Sequence, residues 1–115
     1  MKKKCPKKWV PAMAFIANEI AGFVMGYKLD SWHRNEKEIL LYDIEVLQKF
    51  RRYGIGTKLV EALKGLAVKE RFKELWIPTN KSNKGAVEFY KKIGGIQKYN
   101  DDIFFTLLLK DDKTL

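Results

Sequence analysis

The chain has 115 residues and a formal net charge of +9, from 23 basic and 14 acidic side chains. Its 46% hydrophobic and 32% charged residues exclude a disordered chain, and its length is that of one domain. No apolar run approaches the roughly 20 residues of a membrane span, and a single cysteine with a single histidine (Cys5, His33) excludes a disulfide framework and argues against a structural metal. The expectation is therefore a cytoplasmic protein with no membrane segment and no metal.

The first eight residues carry Lys2, Lys3, Lys4, Lys7 and Lys8. They read as a basic flexible tail (1–8), ahead of one domain (9–110) and a short tail (111–115). A secretory signal is rejected, because Pro11 and Asn18-Glu19 interrupt the apolar segment that follows the lysines. Nucleic-acid binding by the tail is the weaker reading, since no aromatic-interleaved basic motif accompanies it.

Trp9 to Ala17 predicts a strand, Asn18-Glu19 a tight turn, and Ile20 to Leu29 the returning strand. Asp30 to Lys37 predicts a polar loop containing Trp32 and His33. Glu38 to Val46 is rich in apolar and branched residues and predicts a third strand. Strict alternation puts Leu41, Asp43 and Glu45 on one face and Tyr42, Ile44 and Val46 on the other. Ile55, Leu59, Leu63 and Leu66 recur at spacings of three and four, so Gly54 to Arg71 predicts an amphipathic helix. Glu74 to Pro78 predicts a short strand. Ser82 or Asn83 can cap a second helix that turns Ala86, Val87, Tyr90 and Ile93 inward and ends at Gly94-Gly95. Ile96 to Tyr99 and Ile103 to Leu109 predict a closing hairpin. The order predicts an α/β domain. Its sheet is mixed and mostly antiparallel, around a central parallel strand-helix-strand crossover. Unpaired sheet edges suggest a homodimer.

Chemistry concentrates between the third strand and the first helix, in Arg51-Arg52-Tyr53-Gly54-Ile55-Gly56-Thr57. Glycines let a backbone turn tightly and approach a ligand closely. The first amides of a helix lack internal partners and, with the helix dipole, attract an anion. Thr57 adds a hydroxyl, and Arg51 and Arg52 add charge, so the segment suits a pyrophosphate. A P-loop is excluded by the missing Gly-Lys-Ser/Thr ending, and a dinucleotide fingerprint by Leu59 in place of a third glycine. On spacing alone, two glycines that merely shape a turn remain an equal reading.

IEVLQKFRRYGIGTKLVEAL resembles the acetyl-CoA-binding segment of the GNAT acetyltransferase superfamily, with Arg51, Gly54 and Gly56 filling its Arg/Gln-x-x-Gly-x-Gly/Ala signature. NKGAVEFYKKIGG resembles the same family's later helix, through Asn83, Ala86, Phe89, Tyr90, Lys92 and Gly94. The resemblance covers roughly residues 9–109. LLYDIEVLQKFRRYGIGT is similar to the aminoglycoside 3-N-acetyltransferase-like branch. The family pattern begins with a further strand and one or two helices that wall the acceptor site. Here the match starts at the second strand, which leaves that wall to a partner subunit, leaves the site open, or marks a fragment.

The resemblance implies transfer of acetyl from acetyl-CoA, as co-substrate, directly to an amine: an aminoglycoside, a polyamine, a peptide or another amine. It implies that residues 52–57 (Arg52, Tyr53, Gly54, Ile55, Gly56 and Thr57) hold the diphosphate beside Arg51. The rim at Ile44, Val46 and Leu47 would pair with the pantetheine arm, and an amide near Val46 or Leu47 would face the oxyanion. Asp43 or Glu45 would be the general base. Both facing solvent is the equal alternative. Tyr90 would be the acid for the leaving thiolate, against the alternative of a core tyrosine. Asn83 would touch the pantetheine or only cap its helix. Two other functions stay open: a non-catalytic acyl-CoA-binding module and a basic nucleic-acid-binding protein.

Overall fold

The computed structural model describes residues 8–31, 36–98 and 101–110. The tail lysines up to Lys7, together with Cys5, Trp32 and His33, lie outside the described residues. Strand β1 (Trp9–Ile16) turns into β2 (Glu19–Ser31) through Ala17 and Asn18, at φ of 49° and 66°. Two successive left-handed residues give a hairpin turn whose twist matches that of the strands. The turn sits one residue earlier than Asn18-Glu19. The antiparallel strand β3 (Glu36–Val46) follows, and β2 and β3 both run further into the polar loop than the sequence suggested.

A single 3₁₀ turn (Gln48–Phe50) then leads into α1 (Ile55–Lys69). The chain continues through β4 (Glu74–Trp76), α2 (Lys84–Lys92) and Gly94, at φ 101°, which stops the second helix. The sheet order is β1-β2-β3-β4, with β4 parallel to β3. This is the expected mixed α/β sheet with the crossover through α1.

Helix α1 lays Ile55, Leu59, Val60, Leu63 and Ala67 against Ala21, Val24, Ile39 and Leu41 of the sheet. Each large aliphatic side chain fully buried in this way stabilises the fold by about 1.5–3 kcal/mol. That single face fixes α1 across the strands, and with it the position of its first turn.

Alternation along β3 is broken. Met25 pairs with Asp43 but Gly26 pairs with Leu41, so Tyr42 is an extra residue, a β-bulge. The bulge lets Ile39, Leu41, Ile44 and Val46 all reach the core side. Tyr42, Asp43 and Glu45 are exposed. Leu41 therefore does not share a face with Asp43 and Glu45, as strict alternation predicted. Tyr42 instead packs edge-on against Trp9, which packs edge-on against Tyr27, on the face away from α1.

Among the described residues the closing hairpin does not form. Residues 96–98 and 102–110 carry no strand, and Tyr99 and Asn100 lie outside the described residues. Strand-forming composition yields a strand only where an edge and a burying surface are met. Here the contacts with the sheet's last strand include Phe104 against Trp76, ring centroids 5.9 Å apart, and Lys98 Nζ donating to Glu74 Oε2 at 2.9 Å.

Candidate active site

The turn before α1 is built by conformation. Arg52 and Gly54 both adopt left-handed geometry, at φ of 71° and 75°. Nothing lies within 4 Å of a Cβ placed on Gly54, so glycine is required there by backbone angle and not by crowding. A Cβ on Gly56 would stand 3.3 Å from the Phe89 ring, so this glycine admits α2 against the start of α1.

Arg51 N–H donates to Gln48 O at 3.2 Å and Lys58 N–H to Gly54 O at 3.1 Å. Among the described residues, no backbone carbonyl takes up the amides of residues 52–57, and no side chain caps α1. Six consecutive amides thus stand at the positive end of a helix dipole, flanked by the exposed Arg51, Arg52 and Thr57. This arrangement accepts an anion.

Beside this turn β3 parts from β4. The parallel pairing covers only Glu38–Glu74, Ile39–Leu75 and Leu40–Trp76. Leu47 N–H donates to Ala21 O at 2.8 Å, one step beyond the Val46–Gly22 pair. In an antiparallel ladder that bond makes Val46–Gly22 a pair without mutual hydrogen bonds, and Ile44–Val24, two residues back, another. The backbone N–H and C=O of Ile44 and Val46 therefore point away from β2, along the edge that β4 has left. Leu47 is the exception to the expected rim: its amide is committed to β2 and cannot donate to an oxyanion. Arg51 Nε reaches back to Val46 O at 3.0 Å, tying the turn to the end of β3.

Helix α2 starts differently. Asn83 Oδ1 accepts from Ala86 N–H at 3.2 Å, so that oxygen serves the cap. The helix packs Phe89 and Ile93 against the core and leaves Tyr90 half-buried. Burial, and secondarily the charge of Asp43, push the Tyr90 phenol above its ordinary value of 10.0. Tyr90 is thus a neutral O–H donor at physiological pH, within the electrostatic reach of Asp43. Tyr90 also lines a cavity of about 470 Å³ with Trp76, Ile77, Val87, Gly95 and Phe104.

The fold sets the turn before α1 beside Val46, through Arg51 and Gly56, and brings Asp43 within electrostatic reach of Tyr90, while the cavity that Tyr90 lines includes none of Asp43, Ile44, Val46 and the 52–57 turn. Trp76 and Phe104, which wall the cavity, were missed. Their only signal was aromatic residues on two apolar segments. Among the described residues no helix is long and apolar enough to cross a membrane, and no group of three or more metal-ligating side chains occurs.

The family model described as acetyltransferase (GNAT) matches residues 2–95. An N-alpha-acetyltransferase of Sulfurisphaera tokodaii is 32% identical over 92 residues, which cover 70% of this chain and 55% of that protein. The chain spans between 33% and 55% of the length of the curated relatives it matches. An aminoglycoside acetyltransferase from an uncultured soil metagenomic sample, solved with trehalose, superposes at a TM-score of 0.82 and 24% identity, over 91% of this chain and 68% of that one. AAC(6')-Iy, solved with the bisubstrate analogue CoA-S-monomethyl-acetylneamine, superposes at 0.80 and 17% identity, over 90% and 72%. At these identities the two structures speak for the fold alone. The family match spans most of the chain and includes both the anion-accepting turn and the helix that carries Tyr90, and this chain belongs to the acetyltransferase (GNAT) family.

Proposed function

We propose that the protein is an acetyl-CoA-dependent N-acetyltransferase that moves acetyl from the thioester directly to an amine. The observation that carries this reading is the run of uncommitted amides from Arg52 to Thr57, set at the end of an open strand edge. The amides suit the diphosphate, with Arg51 and Arg52 adding charge. The outward N–H and C=O groups of Ile44 suit an amide of the pantetheine arm, which joins as a short added strand. A relative solved with a CoA-containing bisubstrate analogue supports the same ligand.

In this reading the acceptor approaches the exposed Asp43 and Glu45, whose charges attract a protonated amine. A primary amine of pKa about 10 is mostly charged at neutral pH, so it must first lose a proton. Asp43 takes it, directly or through water, with Glu45 beside it on the same face. The amine nitrogen attacks the thioester carbonyl and a C–N bond forms. The Val46 amide donates to the oxygen that becomes negative. The nitrogen gives up its second proton, the C–S bond breaks, and Tyr90 O–H protonates the departing sulfur. The products are the acetylated amine, CoA and one net proton.

An aminoglycoside, a polyamine and a peptide amino terminus all present such a cationic amine. Relatives named for N-alpha-acetylation and neighbours named for aminoglycoside acetylation support an amine as acceptor. The partners are then acetyl-CoA, the amine and a second copy of the chain. One cysteine in 115 residues suits a cytoplasmic setting.

Calorimetric titration with acetyl-CoA tests the binding step, and CoA release across a panel of amines tests transfer. Micromolar binding with release for at least one amine is expected. No binding at hundreds of micromolar would sink the reading, and binding without release from any amine would leave a non-catalytic acyl-CoA-binding module.

A further inference from the structure

The sheet has an apolar face on the side away from α1. Val10, Ala12 and Ala14 of β1 pack on the core, so the alternate positions of that strand turn to the other side. Strand register extends this second face into two rows. Pro11 pairs with Met25 and Met25 with Asp43, while Met13 pairs with Phe23 and Phe23 with Glu45. Pro11 is exposed, Met13 is 58% exposed and Phe15, next along the strand, 59%. Isolated apolar residues on a surface are ordinary, but a contiguous patch of this kind marks an interaction site.

Each row ends on a carboxylate. In a protein of net charge +9, the six residues of the two rows carry two charges, and both are negative. Neighbouring side chains along such a row stand about 5 Å apart. Asp43 therefore adjoins Met25, and Glu45 adjoins Phe23, with Pro11 and Met13 one step further on. The edge-packed rings of Trp9 and Tyr42 border the first row. A cation held by these carboxylates has apolar surface beneath the rest of its body, and methionine adapts its shape to what lies on it.

We propose that this face is the acceptor platform, and that it selects a primary amine with a single positive charge borne on an apolar body. The inference rests on the transferase reading and names the acceptor within it. The ammonium meets Asp43 and Glu45, and the apolar body lies along Met25 and Pro11 or along Phe23 and Met13. Each methylene group buried there is expected to tighten binding by up to about fourfold. A polyamine or an aminoglycoside can also set one ammonium at the carboxylates. Its other charges and hydroxyls then lie on side chains with no strong hydrogen-bond acceptor, and polar groups buried without partners are costly. The occupant is a cation and not a second copy, because the same rows packed face to face would bury the carboxylates with no basic partner.

CoA release from acetyl-CoA, measured as kcat/KM over a panel of amines, tests the proposal on the full chain. The panel holds a short peptide beginning with two leucines, its counterpart beginning with two serines, phenylethylamine, spermidine and kanamycin. The dileucine peptide, phenylethylamine or both are expected to exceed the other three at least tenfold. Whichever leads says whether the apolar body is a peptide or a small molecule. Spermidine, kanamycin or the diserine peptide turning over as well as these two would overturn the platform and leave the transferase reading standing. Release from no amine would overturn both. Met13→Lys sets a cation on the face and is expected to raise the KM for the favoured amine at least tenfold, while calorimetric affinity for acetyl-CoA stays near that of the parent chain. An unaltered KM in a folded Met13→Lys protein would overturn the platform. So would a Met13→Lys protein that passes from dimer to monomer in sedimentation and keeps its preference among amines, which would give the face to a second copy. If the variant does not fold, the ranking of amines by the parent chain decides.

Discussion

The two helices of this small domain begin in opposite ways. At α2, Asn83 closes the first turn with its own side chain, and the helix is held by Phe89 and Ile93 against the core. At α1, a left-handed glycine stands where a capping side chain would be, and the first amides keep no partner among the described residues. A capping side chain is worth about 1 kcal/mol, so the open start of α1 gives up stability that the closed start of α2 retains. The difference divides labour in the proposed reaction. The open start binds an anion, while the closed start fixes the helix that carries Tyr90.

That division can be broken at either end. The largest effect is expected from Tyr90→Phe, which removes the proton donor but not the helix. Steady-state kinetics should show kcat falling by about a hundredfold, with the KM for acetyl-CoA little changed. An unchanged kcat would return Tyr90 to the role of a packing residue.

Gly54→Val strikes the other helix. A β-branched residue at φ 75° is strained by about 1–3 kcal/mol, so thermal unfolding should shift down. Titration should show acetyl-CoA binding weakened about tenfold or more, as the amides lose their alignment. Unaltered affinity in a folded Gly54→Val protein would contradict the role of this turn.

Asn83→Ala sharpens the contrast. It should cost about 1 kcal/mol of stability in denaturant unfolding. Its effect on the KM for acetyl-CoA should be smaller than that of Gly54→Val.

The smallest effect is in the titration of Tyr90. Burial first and the Asp43 charge second favour the neutral phenol, so the alkaline fall of the rate profile that Tyr90 causes should lie above pH 10. Replacing Asp43 with Asn removes a negative neighbour and should lower the Tyr90 pKa. Ultraviolet titration of tyrosinate, with Tyr90→Phe as the blank, reads the shift. A shift in the opposite direction would show that Asp43 does not face Tyr90.

Much of the site was legible because it rests on local rules. The spacing of Ile55, Leu59 and Leu63 marked α1, and Gly54 and Gly56 marked its start, since backbone angles and first-turn amides are properties of a short segment. Asn83 was legible as a cap for the same reason. The two glycines proved unequal: Gly54 answers to a dihedral angle, and Gly56 to the approach of Phe89, thirty-three positions away. The bulge at Tyr42 was not legible. It depends on how β3 registers against β2, and it decides which of Leu41, Asp43 and Ile44 see the core.

The sequence by itself determined the order of β1 to α2, the part of α1's buried stripe at Ile55, Leu59 and Leu63, and the glycine-shaped turn before that helix. Each follows from periodicity and backbone preference within about twenty residues. Leu66 is only half-buried, and Val60 and Ala67 complete the stripe. Tertiary structure alone decided that β3 leaves β4 after three pairs, that Leu47 gives its amide to Ala21, that Asp43 acts on Tyr90, and that Ile103 to Leu109 lie exposed. These are matters of which distant groups meet, and a strand acquires a partner, or fails to, only when the whole sheet has closed.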